Sequence, residues 1–203
     1  MLSKPQLRTI LQKSDPEIFC RDHLFSSSAW LFSNDSTEKV NGSYADFKQN
    51  VAKAVGVKVS DVSIVGSAKL GYSLSPLKSD LLASFNKKSD IDIVIVSEEL
   101  FAETWYWLLK ALYAGYTWIH ERHAGEILRK FVVVRRDRRY DQGSSYLRDI
   151  SVLMLDMKRD VQDKLGTERT LNYRIYESWD AVRHYHAWSI VELQRRLRPN
   201  GEP

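Results

Sequence analysis

From residue 43 onward the apolar positions fall into periods that define elements; before residue 43 they do not. Tyr44, Phe47, Val51, Ala54 and Val55 recur at helical spacing, with Ser43 as N-cap and Gly56 as stop. Val57 to Val65 alternates as a strand ending at Gly66-Ser67. Leu70 to Lys88 is mixed, with Pro76 closing one piece and Leu81-Leu82 suited to a short helix. Ser89 to Val96, SDIDIVIV, is the clearest strand: alternating Asp and Ile gives way to β-branched residues. A helix from about Glu98 to Ala114 follows, then a buried strand over Lys130 to Val134, KFVVV. Tyr146 to Leu165 fits a helix, although Asp149 to Leu155, DISVLML, fits a strand equally well. Leu171 to Tyr176 reads as a short strand. Ser178 to Leu197 reads as an amphipathic helix with Val182, Ile190, Leu193 and Leu197 on one face. The pattern predicts an α+β protein. It divides into an N-terminal extension (1–42), a core (43–165) and a C-terminal strand and helix (166–203).

Composition excludes several classes. A chain of 203 residues, 43% apolar and 28% charged, is long enough to bury a core and too apolar for disorder. The single cysteine, Cys20, rules out an internal disulfide and points to an inert buried thiol. The N-terminus has no continuous apolar segment of the signal-peptide kind. Trp105 to Ile119, the most apolar stretch, carries Lys110 and is too short for a membrane span, so it is expected to be a buried aromatic helix. The expected setting is cytoplasmic, with no membrane partner. Histidine metal sites are not expected: His120 and His123 lack the i, i+4 spacing, and His184 and His186 diverge on a helix.

Chemistry concentrates in two places. Gly66-Ser67-Ala68-Lys69-Leu70-Gly71 follows a strand, but Tyr72 stands where a Walker loop requires Lys, and the glycine spacing is wrong for a dinucleotide fingerprint. A strand ending in Gly-Ser still allows close backbone approach and offers a hydroxyl to phosphate oxygens. Asp90 and Asp92 open the strongest strand. Residues i and i+2 share one face about 7 Å apart, so the two carboxylates can share a divalent cation. Aspartate is disfavoured in strands, and two on one face repel unless a cation or water intervenes.

The combination of SIVGSAKLGYSLSP and KKSDIDIVIVS resembles the DNA polymerase β-like nucleotidyltransferase superfamily, closest to bacterial second-messenger-synthase-like and minimal members. The resemblance implies a mixed sheet flanked by helices, with extra terminal helices. It implies that Gly66 and Ser67 bind triphosphate, with Lys69 counted beside them, and that Asp90 and Asp92 bind Mg²⁺ or Mn²⁺. The implied reaction is attack of an acceptor hydroxyl on the α-phosphate of a nucleoside triphosphate, releasing pyrophosphate. The acceptor would be a nucleotide, nucleic acid, protein or small molecule.

The sequence departs from that pattern twice. The segment between Ser67 and Asp90 is long, and Lys78, Lys87 and Lys88 within it are placed either to reach phosphates or to stay solvated. The third carboxylate, normally supplied by a later strand, has three candidates: Asp149 if DISVLML is a strand, Asp137 if KFVVV continues, and Asp156. Asp149 is taken as the catalytic candidate. Arg129 to Arg139 adds a basic strip, with Arg135, Arg136, Arg138 and Arg139 as its densest part. It suits triphosphate or nucleic acid, or else a solvated hairpin end. Tyr140 and Tyr146 suit either base stacking or core. Two rivals to the enzyme follow: a catalytically silent relative that binds a nucleotide or an operon partner in a defence or toxin–antitoxin system, and a nucleic-acid binder using the basic strip.

Overall fold

The computed structural model describes residues 2–198. Four strands form one mixed sheet: β1 (Val62–Val65), β2 (Ile91–Val96), β3 (Phe131–Val132) and β4 (Leu171–Tyr176). Their order is β1-β2-β4-β3, with β1 antiparallel to β2, β2 parallel to β4 and β3 antiparallel to β4. The protein is therefore α+β. The register levels Val65 with Asp92, and Asp92 with Asn172. Because strand residues alternate between faces, Ile91, Ile93 and Ile95 share one face with Leu171, Tyr173 and Ile175. Asp92 lies on the opposite face with Ser63, Val65, Asn172 and Arg174.

Local chemistry fixes the helices around the sheet. Helix α1 (Lys4–Lys13) starts with a capping box between Ser3 and Gln6, with proline in its first turn, and α2 (Pro16–Phe19) is capped by Asp15. Helix α3 (Tyr44–Val55) has a second capping box, Ser43 with Asp46, and ends at Gly56 in the left-handed conformation. The remaining helices are α4 (Ser67–Leu70), α5 (Glu98–Tyr113), α6 (Trp118–Leu128), α7 (Arg138–Gly143), α8 (Ser145–Leu165) and α9 (Trp179–Leu197). Helices α3, α5 and α8 pack together, and α1, α2 and α9 form another group. Tyr185 of α9 meets Phe131, Tyr176 and Arg174, placing α9 over the Asp92 face.

Several sequence expectations shift. The strand expected from Val57 begins only at Val62, because Val59–Asp61 forms a 3-10 turn with Val59 half exposed. Only Phe131 and Val132 of KFVVV pair with β4, which ends at Tyr176. Beyond them side chains satisfy the backbone: Val133 N–H donates to Glu126 Oε2 at 3.1 Å, and the Val134 carbonyl accepts from the Tyr173 hydroxyl. The ambiguous Tyr146 to Leu165 segment is helical. Leu147, Ile150, Met154, Met157, Val161 and Leu165 hold a 3.6-residue period, and that run outweighs the short DISVLML alternation.

The aromatic stretch is not one buried helix. Helix α5 ends at Tyr113, and Trp105, Tyr106 and Tyr113 are exposed. Among the described residues no helix is long and apolar enough to cross a membrane. The N-terminal residues, unplaced by periodicity, are tied to α9. Gln12 donates to the Leu197 carbonyl at 3.1 Å, and Gln194 donates to the Leu11 and Ser14 carbonyls at 2.7 and 2.9 Å.

Candidate functional site

Asp90 and Asp92 meet the Gly66 turn and the first residues of β4 at one end of the sheet. Asp92 is half-buried, and a Cβ at Gly66 would stand 3.1 Å from its Oδ2. Asp90 is exposed just before β2 and accepts the Asn172 side-chain amide at 3.1 Å. Burial pushes the Asp92 carboxyl above its ordinary range. The nearby Arg174 charge opposes this, Asp90 adds to it, and the Asn172 amide and Lys78 lower it again. Carboxylates are hard donors of the kind that suits Mg²⁺ or Mn²⁺. Among the described residues no group of three or more Asp, Glu, His or Cys is placed to hold a metal, and the third polar side chain here, Asn172, turns its amide N–H to Asp90.

The surrounding chain positions these groups. The 72–84 loop folds back on itself: Phe85 N–H donates to the Gly71 carbonyl and Ser73 N–H to the Ala83 carbonyl, both at 2.8 Å. A Cβ at Gly71 (φ +83°) would lie 2.9 Å from the Trp30 ring, so only glycine lets the loop pass that close. Arg169 clamps the turn entering β2. Its Nη1 donates to the Asn86 and Ser89 carbonyls at 2.7 and 2.9 Å, its Nη2 pairs with Glu38, and its guanidinium lies over Phe85. Cations ring the mouth. Lys78 acts on Asp92, while Lys158 of α8 feels both Asp90 and Arg135. Lys87 and Lys88 are exposed.

Other sequence candidates lie elsewhere. Asp149 is not a strand carboxylate: it sits in the first turns of α8, exposed and paired with Arg148 at 2.9 Å. Asp137 caps α7 and pairs with Arg139 at 2.7 Å, while Asp156 is exposed beside Arg159. Lys69 is not brought to the carboxylates. Its side chain is buried, with Nζ donating to the Ser26 carbonyl at 2.5 Å and lying 5.1 Å from the Tyr44 ring centre. The basic strip is partly neutralised, because Arg136 pairs with Asp141 at 2.7 Å and Arg139 pairs with Asp137 and lies over Trp118. Arg135 and Arg138 remain exposed. Tyr140 is core, and Tyr146 stacks on Trp107. Cys20 is fully buried, its thiol pushed up to about 12 by that burial and by Glu17 and Asp15, so it stays unreactive at neutral pH.

Two features were not anticipated from sequence. Asn172 looked like an ordinary strand residue, although the alternation Asn172, Arg174 marks a polar stripe that register carries beside Asp92. A buried relay also joins α6 to α7. His123 Nδ1 lies 2.8 Å from Glu126 Oε2, and its Nε2 lies 2.7 Å from the Tyr140 hydroxyl. It also helps anchor Val133 through Glu126. Its His-x-x-Glu spacing is the one sequence trace it leaves.

Gly66 adopts φ +69° and ψ −146°, a region open almost only to glycine. Gly66→Ala is expected to cost about 1–3 kcal/mol for the backbone alone, and to displace Asp92 through its added methyl. Denaturant unfolding and a Mg²⁺ titration should therefore both change. Unaltered values in both would contradict the close packing of Gly66 on Asp92. Compared with known proteins, the chain matches no family model, no curated protein and no solved structure.

Proposed function

We propose that the chain binds a nucleoside triphosphate together with Mg²⁺ or Mn²⁺ at the Asp90–Asp92 mouth, as a nucleotidyltransferase-type module with a DNA polymerase β-like core. The observation that carries this reading is the half-buried Asp92 carboxylate, set against Gly66 with Asp90 two residues before it and Asn172 level with it. Asp90 and Asp92 would hold the cation, with the Asn172 side-chain amide beside them. A bound divalent ion supplies charge neutralisation for the polyphosphate and lowers the pKa of an attacking hydroxyl. Lys78, Lys158 and Arg135 supply positive potential for the phosphates.

Transfer to an acceptor hydroxyl is the reaction this arrangement suits. The hydroxyl oxygen bonds to the α-phosphorus, the bond to the bridging oxygen breaks, and pyrophosphate leaves. The hydroxyl proton must go to a base. Asn172 cannot take it, since a side-chain amide has no basic lone pair at neutral pH. That favours a second reading, in which the module binds nucleotide and turns it over slowly or not at all. The paired arginines at 136 and 139 weigh against a nucleic-acid binder built on the basic strip.

Equilibrium binding of each nucleoside triphosphate, with Mg²⁺ and with EDTA, tests the proposal. Wild type is expected to bind at least one of them in a Mg²⁺-dependent way, and Asp90→Asn/Asp92→Asn to lose at least tenfold in affinity. Equal binding by both proteins sinks the reading. Pyrophosphate release from wild type, absent in the variant, selects the active enzyme over the silent module.

A further inference from the structure

A second cleft opens at the other end of β1. It encloses about 460 Å³, within the usual range of small-molecule sites, and is lined by Ser60 of the preceding 3-10 turn and by Val62 and Ser63 from the start of that strand. Val62 is level with Ile95, whereas Val65 is level with Asp92. Ser63, the lining residue nearest the mouth, is level with Val94, so two residues of strand, about 7 Å, separate the cleft from the carboxylate mouth. The separation makes this a distinct place on the same sheet.

The lining is one-sided in charge. Arg21, Lys48 and Arg183 face the cleft from three different elements, and no carboxylate is among the lining residues. Arg21 pairs with Asp22 and Arg183 with Asp180, so both guanidinium charges are partly neutralised. They offer further N–H donors more than free charge, which leaves Lys48 as the cleft's main cation. Lys48 is half-buried, lies 6.0 Å from the centre of the Tyr44 ring and feels only Asp61 as a favourable charge. Ser26, Ser27, Ser60 and Ser63 add hydroxyls, and Trp179, with Phe25 set edge-on at 5.7 Å, forms an aromatic wall.

Next to this lining, in the adjoining cavity that also holds Asp22, lies the buried Lys69. Lys69 is 1% exposed, and its ammonium donates to the Ser26 carbonyl and lies over the Tyr44 ring. Burial and, less strongly, like-charge repulsion from Lys48 together push it down to about 8. Two ammonium groups thus flank one tyrosine ring, and among the described residues neither has a carboxylate hydrogen-bonded to it. Lys48, the one of the two that lines the cleft, is half-buried, and an anion entering beside it offsets the cost of holding its charge there.

We propose that this cleft is an anion site for a phosphomonoester. Its phosphate would be held by Lys48, Arg21 and Arg183 with the serine hydroxyls, and its organic part would rest against Trp179. The site does not depend on the nucleotide reading of the carboxylate mouth, and it needs no metal.

The test uses Asp90→Asn/Asp92→Asn as the parent protein in EDTA, so that the carboxylate mouth cannot contribute. Inorganic phosphate and 5′-AMP are titrated by calorimetry at constant ionic strength, with chloride as the control salt. Binding of both is expected, with 5′-AMP the tighter. Adding Lys48→Met should weaken it at least tenfold, and Lys48→Arg should restore most of it. Melting curves of each variant without ligand establish that it is folded. Absence of binding, a signal matched by chloride, or binding unchanged by Lys48→Met would overturn the proposal.

Discussion

Asn172→Asp is expected to raise Mg²⁺ affinity at least tenfold and to destabilise the metal-free protein. Both effects follow from one placement. Position 172 lies level with Asp92 on the neighbouring parallel strand, and its amide donates to Asp90. An aspartate there loses that donated hydrogen bond and puts a third negative charge beside two others. Burial and Asp90 already push the Asp92 carboxyl upward, so another anion pushes it further and costs roughly 1–2 kcal/mol without metal. A divalent cation reverses the sign, because three carboxylates bind it better than two and an amide. Melting temperature should therefore fall in EDTA and recover with Mg²⁺ by more than in wild type. The new carboxylate also supplies the missing proton acceptor, so pyrophosphate release should rise above the wild-type level. Unchanged Mg²⁺ affinity in this variant would mean that residue 172 does not belong to the site.

The second large effect is acid lability set by His186. This α9 side chain packs edge-on against Phe25 and Tyr185, and its Nε2 is shielded from solvent with no hydrogen-bond partner. Burial lowers the imidazole to about 3, and the Arg174 charge adds to the effect. Between pH 6.5 and about 3 the unfolded chain thus holds a proton that the folded chain refuses. The corresponding stability is complete above pH 6.5 and is lost as pH falls through that window. The ring is only half-buried as a whole, so the expected loss is discounted to about 1–3 kcal/mol by pH 4. His186→Phe keeps the aromatic packing and removes the titration. Denaturant unfolding from pH 7.5 to pH 4 should show a steeper decline in wild type than in that variant. Parallel curves would place the ring in contact with water.

Sequence periodicity was most informative where one force dominated. β2 was legible because Ile91, Ile93 and Ile95 must face a core while Asp92 must not, and α3 because Ser43 and Gly56 mark both its ends. The long period of α8 was visible too, yet DISVLML also satisfied a short alternation. Only the packing of six apolar positions along one helix face decides between them, and that decision removes Asp149 from the site. Asn172 could not be read as a site residue, since its neighbour Asp92 is 80 residues earlier and strand order is not a local property. Lys69 is the converse case. It follows Gly66-Ser67 closely, but the first turn of α4 directs it to Ser26, and Ala68 is buried beside it. The basic strip looked like free charge because its counter-ions, Asp137 within it and Asp141 just after it, pair with it only after α7 forms.

The reading rests on a divalent ion held by Asp90 and Asp92 with a nucleotide, and Mn²⁺ makes that visible. Electron paramagnetic resonance of free Mn²⁺ can be followed as protein is added, with and without a nucleoside triphosphate found to bind. Wild type should withdraw Mn²⁺ from solution in the nucleotide's presence well beyond what the nucleotide alone sequesters, and Asp92→Asn should not. Equal Mn²⁺ uptake by wild type and Asp92→Asn would contradict a metal–nucleotide site at the start of β2.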